Sequence, residues 1–143
     1  MQIDGEELER ILRVVEKPIR YVGGEWNQVR KNHEDVSMKV LLAFPDTYEI
    51  GMSHLGLRIL YHILNLREDV ACERAFMPWV DMYDAMRRQG VPLYALESQV
   101  PARDFDILGF SLQYELSYTN VLAMLDLAGI PILSAERGED DPI

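Results

Sequence analysis

A run of five consecutive apolar residues constrains the fold of this chain most. Val40–Phe44 is apolar on both faces, and Pro45 and Asp46 follow it directly. A strand with both faces buried is typical of a parallel sheet that is covered by helices on both sides. Ile107–Phe110 is a second apolar run that ends in a polar loop. We therefore expect these two segments to be neighbouring inner parallel strands.

Helical patterns alternate with these strands. Apolar residues recur at helical spacing in three segments, Leu55–Leu66, Asp81–Gln89 and Tyr118–Ala128. Asp81 is the predicted cap of the second helix, and Gly90 follows its end. Three further segments are strand candidates: Val70–Phe76, Pro92–Leu96 and Ile130–Ser134, of which the last is either a strand or only a connection. The alternation predicts a doubly wound α/β fold, a flavodoxin-like or Rossmann-like three-layer sandwich with a mostly parallel sheet.

Residues 1–35 are predicted to form an N-terminal helix and a linker arm in front of the α/β domain. The helix is expected over Glu6–Lys17, where apolar residues share one face and Asp4 and Glu7 have the spacing of a capping box. The stretch after it combines glycines, a tryptophan and several charges, which favours an ordered arm that packs on the main domain. That domain is expected over residues 36–143.

Composition and charge exclude several classes of function. The chain has 143 residues, 48% of them apolar, which suits one domain with a single core. Its one cysteine, Cys72, excludes an internal disulfide framework and a cysteine-ligated metal or iron–sulfur site within the chain. A net charge of -10 argues against binding to the phosphate backbone of nucleic acids. The acidic N-terminus and the absence of a long apolar run predict a cytoplasmic protein with no membrane association.

Ligands of doubly wound sheets bind beyond the carboxyl ends of the strands, where the winding reverses. The first such loop, PDTYEIGMSHLGLR, has Gly51 and Gly56 at the spacing of a phosphate-binding loop, but it lacks the lysine and hydroxyl residue that such a loop requires. A sharp turn into the helix explains both glycines. His54 is interpreted first as a capping or packing residue and second as a ligand contact. Its spacing to His62 does not match a metal pair, so no metal site is expected.

The second loop, GFSLQYELSYTN, ends a buried strand with polar side chains. Among them are Ser111, Gln113, Tyr114 and Glu115, which makes this loop the most suggestive feature that the residues show by themselves. The segment FMPWVDMY has two interpretations, core packing between a strand and a helix or the lining of an apolar pocket. Core packing is favoured.

Four long strings carry a family resemblance: RYVGGEWN, FPDTYEIGMSHLGLRILYHILN, FMPWVDMY and DFDILGFSLQYELSYTNVLAMLDLAGIP. From about Arg20 to the last residue, the chain resembles a family of bacterial cobalamin-binding-domain radical S-adenosylmethionine (SAM) proteins of uncertain function. The resemblance implies an N-terminal cobalamin-binding-type domain. It also implies a downstream barrel that holds a 4Fe–4S cluster and cleaves S-adenosylmethionine, and a domain of residues 36–143 that is truncated at its C-terminal end.

The resemblance implies that a corrinoid would lie over the two loops. The implied cofactor-binding residues are Asp46, Tyr48, Met52, Ser53, His54, Ser111, Gln113, Tyr114 and Glu115. Two positions depart from the known cobalamin motifs, since Met52 stands where an aspartate supports the cobalt-ligating histidine and Gln113 replaces a leucine. The implied function is corrinoid recognition or substrate presentation to the downstream barrel, without catalysis by this chain alone. The alternative is a cofactor-free interaction or dimerisation module of the same parent protein. Because the resemblance implies a missing next strand, we expect a homodimer, or a loop from the arm or the acidic tail, to cover the open edge of the sheet.

Overall fold

The computed structural model of the chain describes residues 3–143. Their helices and strands follow one another in this order: α1 (Gly5–Leu12), β1 (Met38–Phe44), α2 (Tyr48–Ser53), α3 (Leu55–Asn65), β2 (Val70–Phe76), α4 (Val80–Gln89), β3 (Ile107–Phe110) and α5 (Tyr118–Ala128).

The three strands form one parallel sheet in the order β2–β1–β3. Side chains of β1 alternate between the two faces of this sheet, as the period of a strand requires. Leu42 packs on one face with Leu57 and Tyr61 of α3. Leu41 packs on the other face, in the cluster that contains side chains of α1, α4 and α5. Helices therefore cover both sides of a parallel sheet, which confirms the predicted flavodoxin-like or Rossmann-like α/β fold.

The predicted pairing of the two apolar runs is confirmed, but the inner position of the second is wrong. Val40 is in register with Ile107, and β1 is the central strand. β3 lies at an edge of the sheet and is only half-buried. An apolar run indicates that helices cover the two faces of a strand. It does not indicate whether another strand pairs with each edge, so it fits an edge strand as well as an inner one.

Part of the outer edge of β3 is covered by the acidic tail. The Ile143 N–H donates to the Asp106 carbonyl at 3.1 Å, and the Ile143 carbonyl accepts from the Leu108 N–H at 2.9 Å. These two bonds have the pattern of a parallel β-bridge. The tail therefore occupies an edge that would otherwise present unpaired backbone groups.

The opposite edge of the sheet is closed by side chains. All seven residues of β2 are buried although β2 is an edge strand. The Asn65 amide donates to the Cys72 carbonyl at 2.9 Å and accepts from the Cys72 N–H at 3.1 Å. Next to it, the Glu97 carboxylate accepts from the Arg74 N–H at 2.8 Å. These side chains satisfy backbone groups that a neighbouring strand would otherwise pair with.

Two predicted helix starts and ends differ from the observed ones. α1 ends at Leu12 instead of Lys17, and the Asp4 carboxylate caps it by accepting from the Glu6 N–H at 3.0 Å, not from Glu7. α4 begins at Val80 with Trp79 as its N-cap. Asp81, the predicted cap, lies in the first turn and accepts from the Glu16 N–H at 2.7 Å instead. Gly90 ends α4 in the left-handed conformation, as predicted.

Two of the strand candidates are connections. Pro92–Leu96 was predicted as an edge strand, but it forms only an isolated bridge between Tyr94 and Pro101. Its backbone groups bind three different elements, so no continuous ladder can form; the Leu93 N–H, for example, donates to the Leu127 carbonyl. Ile130–Ser134 is a connection, which was one of its two interpretations.

Asn65→Ala tests the closure of the β2 edge. The substitution leaves a buried N–H and a buried carbonyl of Cys72 without partners, and each such group costs about 1–3 kcal/mol. We expect the free energy of unfolding to fall by about 2–4 kcal/mol in urea titrations. Gln89→Ala, at the exposed end of α4, is the matched amide control and should change it by less than about 0.5 kcal/mol. Equal losses in both variants would contradict this closure.

Candidate functional site

The two predicted loops meet at the carboxyl edge of the sheet. β1 and β3 are adjacent and parallel, so the loops that follow them leave from the same edge. The Tyr114 hydroxyl donates to the Asp46 carboxylate at 3.4 Å. The Asn120 amide donates to the Pro45 carbonyl at 2.9 Å, which fixes the start of α5 against the end of β1. We call the space between the two loops the carboxyl-edge crevice.

Ser111 and Gln113 lie together on the β3 side of the crevice. The Ser111 N–H donates to the Ala43 carbonyl at 3.2 Å and so extends the ladder of β1 and β3 by one bond. The Gln113 amide donates to the Ser111 hydroxyl at 2.6 Å. Ser111 is half-buried, whereas Gln113 and Glu115 are exposed. The strand ladder thus positions Ser111, while the side chains after it face solvent.

The residues of α2 point to the other side of the first loop. The Tyr48 hydroxyl donates to the Glu25 carboxylate, and its ring lies edge-on to Phe76 at 5.6 Å. Burial, with a further contribution from Glu25, raises the pKa of Tyr48 to about 12. The Met52 sulfur accepts from Arg74 Nη1 at 3.4 Å. Tyr48 and Met52 are therefore held by the arm and by β2, away from Ser111.

His54 caps α3, as its first interpretation predicted. Its Nδ1 accepts from the Leu57 N–H at 3.2 Å, and its ring lies 5.1 Å from the ring of Phe44. Ser53, the residue before it, donates from its hydroxyl to the Glu49 carbonyl at 2.7 Å. Both side chains are thus used locally, by the ends of α2 and α3.

The turn interpretation of the two glycines is wrong. Gly51 lies inside α2, and a Cβ atom there would come within 2.3 Å of the Phe76 ring. Gly56 lies inside α3, where a Cβ atom would come 3.0 Å from the His54 ring. The first loop turns into a short helix that the sequence did not predict, and Gly51 lets this helix approach the end of β2.

The sequence reasoning missed a contact that joins Arg20, Glu49 and Trp79. Arg20 Nη2 lies 2.8 Å from a Glu49 carboxylate oxygen, and its guanidinium carbon lies 5.6 Å from the centre of the Trp79 ring. The hydrogen bond that Arg20 donates to the Glu49 carboxylate raises the pKa of Arg20. Residues so far apart in sequence give no periodic signal. Trp79 did belong to a segment interpreted mainly as core, but its side chain is 46% exposed.

A row of apolar side chains is exposed on the connection between β3 and α5 and on α5 itself. Its members, which we call the exposed row, are Leu112, Tyr114, Leu116, Tyr118 and Leu122. Their exposed fractions lie between 46% and 79%. Exposed apolar side chains so close in sequence are candidates for an interaction surface. The β3 side of the crevice is therefore bordered by a surface suited to a partner.

Metal-binding groups are not assembled in the part of the chain that the structure describes. Within residues 3–143, no three His, Cys, Asp or Glu side chains are placed to hold a metal ion. Cys72 is 1% exposed, and burial, followed by the charge of Glu97, raises the pKa of its thiol to about 12. The helices among these residues are too short or too polar to cross a membrane.

Gly51→Ala tests the close approach of α2 to β2. A methyl group at this position overlaps the Phe76 ring, and overpacking of this kind costs about 1–3 kcal/mol. We expect the midpoint of thermal unfolding to fall. Gly5→Ala is the control, because no heavy atom lies within 4 Å of a Cβ atom there. A Gly51→Ala variant as stable as Gly5→Ala would show that α2 packs differently.

The buried thiol of Cys72 gives a pH-dependent prediction. A free thiol has a pKa of about 8.5, so a pKa of about 12 lowers its thiolate fraction at neutral pH by roughly three thousandfold. We expect iodoacetamide to label Cys72 slowly in the native chain and rapidly in urea. The protonated thiol stabilises the fold at low pH, and this contribution is lost as pH rises from about 8.5 toward 12. Rapid labelling of native protein would contradict the burial of Cys72.

A comparison with known families gives one match. A sequence model described as radical SAM proteins, N-terminal, matches residues 56–143, which is more than half of the chain. The matched part begins in α3 and includes the second loop and the exposed row. Neither the curated proteins nor the solved structures give a match. The chain belongs to the family of N-terminal regions of radical SAM proteins.

Proposed function

We propose that this chain is the corrinoid-binding-type domain at the N-terminus of a radical SAM protein. In this role it recognises a cobalamin cofactor, or presents substrate, at the carboxyl-edge crevice and faces a downstream radical SAM barrel. Membership of the family supports a radical SAM parent. S-adenosylmethionine and the 4Fe–4S cluster then belong to the downstream domain, since the single cysteine of this chain is buried.

One observation carries this proposal, the contact between Asp46 and Tyr114 across the crevice. The chain runs from β1 to β2 on one side and then crosses back over β1 to β3, so the winding reverses between β1 and β3. Doubly wound sheets bind their ligands at this reversal. The hydrogen bond from Tyr114 to Asp46 joins the two loops that flank it.

The residues of the crevice fit a corrinoid in part. A bound corrinoid supplies a cobalt centre that carries alkyl groups. Ser111 and Gln113 offer a hydroxyl and an amide for its polar side groups, and Ser111 is fixed by the strand ladder. Nδ1 of His54 is occupied by the cap of α3, and Met52 stands in place of the supporting aspartate. We therefore assign binding contacts to Ser111 and Gln113 and propose no cobalt ligand from this chain.

The alternative role is a cofactor-free interaction or dimerisation module of the same parent. The exposed row favours it, because apolar side chains with exposed fractions of 46–79% are suited to contact with another domain or a second copy. Both roles place the interacting surface on the β3 side of the crevice.

Ser111→Ala in the parent protein separates the two roles. Loss of one hydrogen bond of about 0.5–1.5 kcal/mol should weaken hydroxocobalamin binding by about 2- to 12-fold. Calorimetry together with visible absorption measures this affinity. Ser134→Ala, an exposed serine far from the crevice, should leave it unchanged. Absence of cobalamin affinity in the parent, with a dimer in sedimentation that Leu116→Asp disrupts, would support the interaction module instead.

A further inference from the structure

A cavity separate from the carboxyl-edge crevice lies between the arm and α3, on the side of β2. It has a volume of about 370 Å³ and is bounded by Asn27 of the arm, by Arg58, Tyr61 and His62 of α3, and by Arg74 of β2. A cavity of this size is within the range of small-molecule sites. Ser111, Gln113 and Asp46 of the carboxyl-edge crevice do not belong to its lining.

The charge of this lining is opposite to that of the protein. The chain carries a net charge of -10, yet the cavity is lined by two arginines, Arg58 and Arg74, and by no aspartate or glutamate. Arg58 and His62 are one helical turn apart and exposed. Within residues 3–143 neither side chain forms a hydrogen bond or an ion pair. A cationic group without a partner, such as Arg58, raises the local concentration of anions.

Arg74 provides a second and independent observation. Its side chain is 1% exposed, Nε donates to Glu97 at 2.6 Å and Nη1 donates to the Met52 sulfur at 3.4 Å. Nη2 is buried and has no hydrogen-bond partner within residues 3–143. A buried guanidinium nitrogen without an acceptor is unfavourable. An anion that enters this cavity can supply the missing acceptor.

The apolar part of the lining defines the rest of the ligand. Val29, Leu55 and Ile59 contribute aliphatic surface, and the guanidinium carbon of Arg74 lies 4.1 Å from the centre of the Tyr61 ring. We propose that this cavity binds a small organic anion with an apolar or aromatic body and one carboxylate or phosphate group. Arg58 and His62 make the first contacts. Because Nη2 of Arg74 is covered, its contact forms as the lining side chains move apart.

The lining of this cavity contains neither Ser111 nor Gln113, to which the corrinoid contacts are assigned, so the site can be tested on the chain directly. Phenyl phosphate and phenylacetate are the anionic probes, benzyl alcohol is the neutral probe, and inorganic phosphate lacks the apolar body. We expect both anionic aromatic probes to bind by calorimetry and to shift amide NMR signals of the arm and α3. Benzyl alcohol and inorganic phosphate should bind more weakly, because the first lacks the negative charge and the second lacks the apolar body.

Arg58→Ala is the decisive variant because it removes an exposed cation and should leave the fold intact. Loss of a charge-assisted hydrogen bond should weaken phenyl phosphate binding by about tenfold or more. Arg88→Ala, an exposed arginine of α4 with the same change in charge, should have little effect. Equal effects of the two variants would show non-specific attraction and overturn the proposal. Failure of both aromatic anions to bind, or signal shifts outside the arm and α3, would overturn it as well.

Discussion

The buried ion pair of Arg74 and Glu97 is the interaction on which the arrangement of the chain depends. Glu97 accepts from the backbone N–H of Arg74 at 2.8 Å and from its Nε at 2.6 Å. The Leu96 N–H donates to the Arg74 carbonyl at 2.7 Å, so both backbone groups of Arg74 are satisfied by one neighbouring segment. Removal of one partner of such a buried pair costs about 3–5 kcal/mol, because the other charge remains without compensation. At Arg74, the Glu97 carboxylate and the Leu96 backbone thus take the place of a neighbouring strand at the edge of β2.

The same segment positions the arm. Gln28 donates to the Glu97 carbonyl at 3.4 Å, and Gly23, with a φ of +67°, lies so close that a Cβ atom would stand 2.4 Å from the Leu96 carbonyl oxygen. Farther along the arm, His33 lies 2.6 Å from the buried carboxylate of Glu73. Lys31 Nζ donates to the Asn65 carbonyl at 3.0 Å, at the end of α3. These directional polar contacts therefore define the position of the arm more closely than non-directional apolar burial would.

The apolar patterns of the sequence predicted the order of the main strands and helices but not their position in the sheet. Val40–Phe44 is the central strand, while the equally apolar Ile107–Phe110 is an edge strand. Whether a strand is central depends on what pairs with it, and Asn65 and Glu97 pair with β2 through side chains. Such contacts between residues far apart in sequence leave no periodic signal. The division of the chain at residue 35 stays a prediction.

In the candidate site, contacts between residues close in sequence could be predicted, whereas contacts between residues far apart in sequence could not. His54 was expected to cap a helix because it precedes one, and it does so. The polar end of β3 was recognised because Ser111 and Gln113 follow an apolar run. The cationic cavity was missed, because Arg58 and His62 resemble ordinary solvent-exposed residues of α3. Only the fold brings them beside Arg74, twelve or more residues farther along the chain.

Met52 connects the first loop of the carboxyl-edge crevice to Arg74, which lines the cavity. This residue belongs to the first loop of the carboxyl-edge crevice, and its sulfur accepts from Arg74 Nη1 at 3.4 Å. A thioether is a weak acceptor and a flexible side chain, so the contact yields more readily than the bond to Glu97 does. The guanidinium of Arg74 is therefore held chiefly by the ion pair with Glu97 and only weakly by its contact with α2.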